Sequence, residues 1–301
     1  MDLTGLPEGL TARPLTTADA SAVHEAIAAQ ELVDLGSVEI EEADIVSDWA
    51  KPSHDVPSSS VGVFDGDLLV GYAEVMGADR GDAAVRPSHR GRGIGTWLAH
   101  RMQEIARARG SRVVGMPVPV GSPGDRLLEQ LGYRVRWHSW VLELPPGAEV
   151  APRPLPDGYA LSVATPEQHR EVWTVVEDAF LEWSERDRES WEDFHASVVG
   201  RPGFEPWHVR VVTGPDGAVV GTAVLSMYEQ AVFISRLAVA RAERGRGLAQ
   251  ALLVDAFGAG RAHGATKSEL STDSRTGALS LYEKVGMVVR DSWVNRCIDL
   301  D

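Results

Sequence analysis

"HRGRGIGTWL", residues 89–98, returns later in the chain as "ERGRGLAQAL", residues 243–252, and this pair decides the fold. Arg90, Gly91, Arg92 and Gly93 match Arg244, Gly245, Arg246 and Gly247 at an offset of 154 residues. Without a gap, the same offset pairs Ala84-Val85 with Ala238-Val239, Leu98 with Leu252, Arg107-Ala108 with Arg261-Ala262, and Gly110 with Gly264. It continues through Leu127, Glu129, Gly132 and Val135 against Leu281, Glu283, Gly286 and Val289. A shared glycine motif can arise by chance, but a register held this long marks a tandem duplication.

Between the copies lies "LPPGAEVAPRPLPDG", residues 144–158, with five prolines and no helical or strand period. This reads as a stiff, extended linker. The expected division is a first domain over 1–147, a linker over 148–157 and a second domain over 158–301. A chain of 301 residues suits two such domains.

Each half has the same element pattern. "VGVFDGDLLVGYAEV" and "VRVVTGPDGAVVGTAVLSM" read as hairpins around Asp-Gly turns, and "AVFISRLAV" as a strand. Behind each glycine loop, Ile94, Leu98, Met102 and Ile105, or Leu248, Leu252, Leu253 and Ala256, fall at helical spacing. Gly110 and Gly264 stop those helices. A strand, a short helix and a last strand follow. The fold class is mixed α/β: two domains, each a central sheet with flanking helices.

Composition narrows the partners. A net charge of -15 argues against nucleic acid, whose phosphates call for clustered cations; it is compatible with a cationic small molecule, but an acidic surface that keeps the protein in solution explains it as well. The single cysteine, Cys297, rules out an intrachain disulfide, and the histidines show no ligand spacing, so no metal is expected. There is no apolar run long enough to span a membrane, and the acidic start (Asp2, Glu8, Asp19) is unlike a secretion signal. A cytoplasmic protein with no membrane partner is the expectation; the sequence leaves the oligomeric state open.

A strand that feeds a glycine-rich loop opening a helix is a recipe for holding phosphate. Backbone N–H groups converge there, and the helix N-terminus adds partial positive charge. The loops read G-x-G-x-G and G-x-G-x-A, so they lack the third glycine of the dinucleotide fingerprint, and they contain no G-K-[ST]. What remains is Arg-x-x-Gly-x-Gly/Ala, carried by Arg90, Gly93, Gly95 and by Arg244, Gly247, Ala249. This motif, with the strand before it and "LYEKVGM" after it, resembles the GNAT superfamily of N-acetyltransferases over most of each half. The tandem arrangement is similar to that of the mycothiol synthases within that family.

The resemblance implies acetyl-CoA as donor and a sheet that is mostly antiparallel and twisted. It implies a cofactor site at Leu237, Ala238, Val239, Arg244, Gly245, Arg246, Gly247, Leu248, Ala249, Gln250 and Ser274. The first half contributes Val85, Arg90, Gly91, Arg92, Gly93, Gly95 and Thr96 in the same way. Tyr282 is the implied proton donor to the leaving thiolate, while its register partner is Leu128. Ser274 and Glu269 likewise correspond to Val120 and Gly115. The first domain is therefore expected to be catalytically degenerate.

The base is less determined. Where related enzymes carry a glutamate this chain has Phe233, which leaves Glu229 and Glu269 as candidates, each also readable as a solvated surface carboxylate. The acceptor is expected on residues 172–207, where Glu177, Glu182 and Trp183 offer carboxylates and an aromatic face to a primary amine. The competing reading of that stretch is an ordinary amphipathic helix pair. A non-catalytic acyl-CoA sensor or scaffold is the alternative function.

Overall fold

The structure, a computed structural model, describes residues 3–228 and 230–300. In chain order the first half forms β1 (Thr11–Arg13), α1 (Ala20–Asp34), α2 (Glu42–Trp49) and the single turn α3 (Val56–Ser59). It continues with β2 (Ser60–Asp65), β3 (Leu68–Met76), β4 (Arg80–Val85), α4 (Ile94–Ala108), β5 (Val113–Pro119), α5 (Pro123–Gln130) and β6 (Arg134–Glu143). The second half repeats this with β7 (Ala160–Val163), α6 (His169–Phe180), α7 (Trp191–Val198), β8 (Val209–Thr213), β9 (Val219–Tyr228) and β10 (Ala231–Val239). It closes with α8 (Leu248–Ala262), β11 (Lys267–Asp273), α9 (Leu279–Lys284) and β12 (Val288–Asp299).

The compact units are not the linear halves. One comprises Met1–His138 with Ser292–Asp301, the other Ser139–Asp291. Strand pairing explains the difference. Residues 293–299 of β12 run antiparallel to β5, from Trp293↔Pro119 to Asp299↔Val113. Residues 139–143 of β6 pair with β11 from Ser139↔Asp273 to Glu143↔Glu269. Each unit thus takes its last strand from the other half of the sequence, so a boundary near residue 150 does not separate the units. Sequence periodicity identifies β6 and β12 as strands but says nothing of which sheet they enter.

Residues 144–158 are also more than a spacer. Leu144 and Val150 are buried in the core of the second unit, and Leu155 packs against it.

In the first unit α4 lies on one face of the sheet, burying Ile94, Leu98 and Met102 against Val63, Val70 and Val114. Helices α1 and α2 cover the other face through Val23, Ile27, Ile45 and Trp49 around Tyr72. The second unit repeats the arrangement. Leu248, Leu252 and Phe257 of α8 pack on Val232, Ile234 and Leu270, and α6 and α7 pack on Val209, Val224 and Ala238. Gly110 (φ 78°) and Gly264 (φ 97°) stand just past the two long helices.

Candidate active sites

In both units a strand opens away from its parallel neighbour shortly before the glycine loop. β10 pairs with β11 from Ala231↔Lys267 to Ile234↔Leu270 and no further, although β10 runs on to Val239. Its other edge stays on β9 up to Val239↔Gly221, with a bulge between Ile234 and Arg236. The bulge bends the strand and shifts its alternation. Phe233 and Arg236 therefore share the face toward α6 and α7, while Leu237 packs toward α8. In the first unit β4 meets β5 at the single pair Arg80↔Gly115, and its pairing with β3 runs without a bulge from Gly71↔Val85 to Met76↔Arg80.

The loops themselves follow from glycine. Gly91 and Gly93 have φ of 76° and 90°, and Gly245 and Gly247 have 78° and 83°. These left-handed conformations are strained for any residue with a Cβ. Gly93 and Gly247 are the N-caps of α4 and α8, so the free N–H groups of each first turn face the loop.

A cavity of about 390 Å³ opens from the first loop between β4 and β5, lined in part by Val85, Gly93, Thr96, Met116, Val118 and Leu128. Apolar walls capped by a phosphate-binding turn suit the pantetheine arm and diphosphate of a coenzyme A thioester. Gly95 stands against α5, where a Cβ would lie 2.8 Å from Leu127 Cδ2.

The expected arginines are committed elsewhere. Arg244 donates to both oxygens of Glu182 at 2.9 and 2.7 Å and to the Val239 carbonyl at 3.1 Å. Arg90 forms the matching fork on Asp34 at 2.8 and 2.7 Å. Arg246 pairs with Glu243 at 3.2 Å, and Arg92 lies 3.5 Å from Asp65. In the first unit the Val85 N–H donates to Gln30 Oε1 at 3.0 Å. Gln250 donates to the Ala151 carbonyl at 2.8 Å. Leu248 is buried and Ala249 packs beside it, whereas Ser274 lies exposed in the turn after β11.

Tyr282 sits on α9 in the apolar cluster that includes Leu237, Leu248 and Ala249. Its register partner Leu128 lines the first unit's cavity. The Tyr282 ring is 8% exposed, and burial pushes the phenol up to about 12, which keeps it protonated at neutral pH. Its hydroxyl makes no hydrogen bond among the described residues.

Glu269 is not a solvated carboxylate. It is 1% exposed, accepts from the Tyr228 hydroxyl at 2.6 Å and pairs with Arg290 at 2.6 Å. As the register partner of Phe233, it projects toward the same face of the sheet, the one α6 and α7 cover. Glu229 lies outside the described residues.

Several carboxylates and aromatic rings on α6, α7 and the segment between them meet arginines of the same unit. Buried Glu177 accepts a bidentate pair from Arg186 at 2.8 and 2.7 Å and the Glu189 N–H at 2.8 Å, clamping the connection between the helices. Glu182 holds Arg244, and the Arg275 guanidinium lies 4.8 Å from the centre of the Trp183 ring. Trp173 and Trp191 carry Arg188 and Arg170 in the same way. Of the residues expected to face an acceptor, Glu177 and Glu182 are thus paired with arginines, and Trp183 is covered by one.

A polar cluster in the first unit escaped the sequence reading. The Tyr72 hydroxyl bonds Asp82, which lost solvent and the nearby Glu74 push up to about 6. Glu74 accepts from Trp49 Nε1 at 2.8 Å. Glu31 is pushed up to about 7 by desolvation, opposed by the N–H groups of Glu39 and Ile40, which it accepts at 2.7 and 3.0 Å. These residues are scattered between positions 31 and 82, and only the packing of α1 and α2 on β3 and β4 assembles them.

Two opened strand pairs, each ending in an Arg-x-x-Gly-x-Gly/Ala turn on a helix N-cap, repeat one geometry in the two units. The acetyltransferase (GNAT) family model matches residues 23–133 and again 170–287. The chain belongs to the GNAT acetyltransferase family. It is an acetyl-CoA-dependent N-acetyltransferase that acts on an amine acceptor, built from two GNAT-like units.

The GCN5-related N-acetyltransferase structure from Sphaerobacter thermophilus superposes with a TM-score of 0.76 at 28% identity, over 98% of this chain and 97% of that one. Among curated proteins, the mycothiol acetyltransferase of Thermobispora bispora is 26% identical over 245 residues, 74% of this chain and 78% of its own. That of Sanguibacter keddieii is 30% identical over 223 residues, 69% of this chain and 68% of its own. Among the described residues, no helix is long and apolar enough to cross a membrane, and no cluster of three potential ligands could hold a metal.

Proposed function

We propose that the second unit carries out acetyl transfer and that the first is catalytically degenerate. The acceptor is then a primary amine of a small molecule, of the kind the mycothiol acetyltransferases use. The observation that carries this reading is Tyr282, a protonated phenol with an uncommitted hydroxyl where the first unit has Leu128.

The amine nitrogen attacks the thioester carbonyl as the N–H groups of β10 around Leu237, Ala238 and Val239 meet the developing oxyanion. Past Ile234 this edge of the strand has no paired partner on β11, so its donors are available at no cost in reorganisation. As the tetrahedral intermediate collapses, the C–S bond breaks and the thiolate takes the Tyr282 proton, and the phenolate is restored by the proton that the new amide nitrogen sheds. The attacking ammonium must first lose a proton, and Glu269 is the candidate acceptor, reached through the Tyr228 hydroxyl that already bonds it. The diphosphate lies on the N–H groups after Gly245 and Gly247.

The acceptor is supported by likeness to the mycothiol acetyltransferases and by the half-buried aromatic pair Phe233 and Tyr228 beside Glu269. A panel of amines tests it: cysteinyl glycosides, aminoglycosides, polyamines and peptide N-termini, each followed by loss of thioester absorbance with acetyl-CoA. Preference for a cysteinyl amine supports the reading, and selective turnover of a polyamine or peptide would replace the acceptor class.

A further inference from the structure

The arginines that the motif offers to the diphosphate are already engaged, Arg244 with Glu182 and Arg246 with Glu243. A different guanidinium lies on the second loop. A Cβ built on Gly247 would run into the Arg153 side chain, 2.5 Å from its Cδ and 3.1 Å from its Cζ, with Nε nearer still. Arg153 is exposed and makes no ion pair among the described residues. It comes from the proline-rich segment between the repeats.

That segment is pinned on both sides of Arg153. Val150 is buried in the second unit's core, the Ala151 carbonyl accepts from Gln250 on α8 at 2.8 Å, and Leu155 packs against the core. Pro152 and Pro154 flank the arginine, fixing φ at their own positions and restricting the residues before them. The backbone that carries Arg153 is therefore ordered before any ligand arrives, which lowers the entropy lost when its side chain engages an anion. The first unit has no counterpart: Pro7 occupies the corresponding place, its Cγ 3.8 Å from a Cβ built on Gly93.

We propose that Arg153 is a coenzyme A phosphate ligand of the second unit, a cation supplied by the inter-repeat segment rather than by the glycine motif. Arg153 thereby makes the second loop electrostatically unlike the first. This inference rests on the reading of the second unit as an acetyl-CoA site. A planar, permanently charged fork suits phosphate oxygens, and its exposure makes the contact sensitive to salt.

The test is site-resolved binding by the full chain, isotope-labelled at glycine. The Gly245 and Gly247 amides report the second loop, and those of Gly91 and Gly93 report the first. Titration with coenzyme A should show Arg153→Gln weakening binding about tenfold at the second loop and leaving the first unchanged. S-acetylpantetheine, which has no phosphate, should bind wild type and variant alike. Arg153→Lys should fall between, and the glycine spectrum without ligand reports whether each variant is folded.

Equal coenzyme A affinity in wild type and Arg153→Gln would overturn the inference. Tighter binding by the variant would also overturn it, identifying Arg153 as a plug in the cradle. If wild type shows no shift at Gly245 or Gly247, the reading of the second loop fails together with the inference.

Discussion

The backbone N–H of Val85 donates to Gln30 Oε1 at 3.0 Å, closing with the protein's own side chain a donor on the opened edge of the first unit. The same unit has Leu128 where the second has Tyr282. On the proposal that only the second unit carries out the transfer, these two differences set the first loop apart from it. Gln30→Ala should tighten coenzyme A binding at the first loop a few-fold, about what one recovered hydrogen bond is worth, as read at the Gly91 and Gly93 amides. Leu128→Tyr alone should leave the first unit inactive. Turnover by Leu128→Tyr in a Tyr282→Phe background would show that the Gln30 contact does not matter.

The exchanged strands set how the chain can be cut. A fragment of residues 151–301 lacks the 139–143 strand that completes its sheet and carries 292–301 with no β5 to pair with. Residues 139–291 keep one unit whole. The 139–291 fragment should give a cooperative thermal transition where 151–301 aggregates or melts without one, as followed by circular dichroism. A stable 151–301 fragment would mean that β12 can pair within the second half.

Stability should fall as pH rises from about 4.5 to 7 through Glu31. Its carboxyl ionises near 4.5 when unfolded and near 7 when folded, so the unfolded state sheds its proton first and gains stability. The contribution is fully present below pH 4.5 and is gone above 7. Asp82, pushed up to about 6, acts in the same direction. His208, pushed down to about 4 by burial, has the opposite slope, losing stability as pH falls from 6.5 toward 4. Glu31→Gln keeps an oxygen for the N–H groups of Glu39 and Ile40 without the charge. It should stabilise the protein at pH 8 by roughly 2 kcal/mol, with little change at pH 4.5. Chemical denaturation at the two pH values checks this; an equal shift at both would remove the protonation argument.

Glu269 separates catalysis from support. Removing its carboxylate leaves Arg290 and the Tyr228 hydroxyl without that partner inside the second unit. Glu269→Ala should cost about 3 kcal/mol of stability. Glu269→Gln keeps much of the volume, and if Glu269 receives the amine's proton it should lower kcat and flatten the acidic limb of the pH–rate profile. Lost stability with an unaltered profile would assign Glu269 to support alone.

Much of the fold was legible because duplication doubles every local signal. The glycine turns, the helices behind them and the β10 strand follow from spacing and φ requirements. What spacing could not supply was partner choice. Whether β12 joins β5, whether Arg244 faces a phosphate or Glu182, and whether Trp183 faces a substrate or Arg275 all depend on contacts between residues distant in sequence. The arginines that meet the acidic, aromatic run around α6 and α7 lie as far away in sequence as Arg244 and Arg275, so spacing could not show them. The Glu31 and Asp82 cluster left no motif at all.

The most direct test of the account is the rate of acetyl transfer by full-length Tyr282→Phe, followed by loss of thioester absorbance with saturating amine. The account predicts a drop in kcat of about a hundredfold, with the KM for acetyl-CoA within about twofold of wild type and Leu128→Ala close to wild type in rate. A Tyr282→Phe enzyme that turns over at the wild-type rate would contradict it, as would a chain silenced by Leu128→Ala alone.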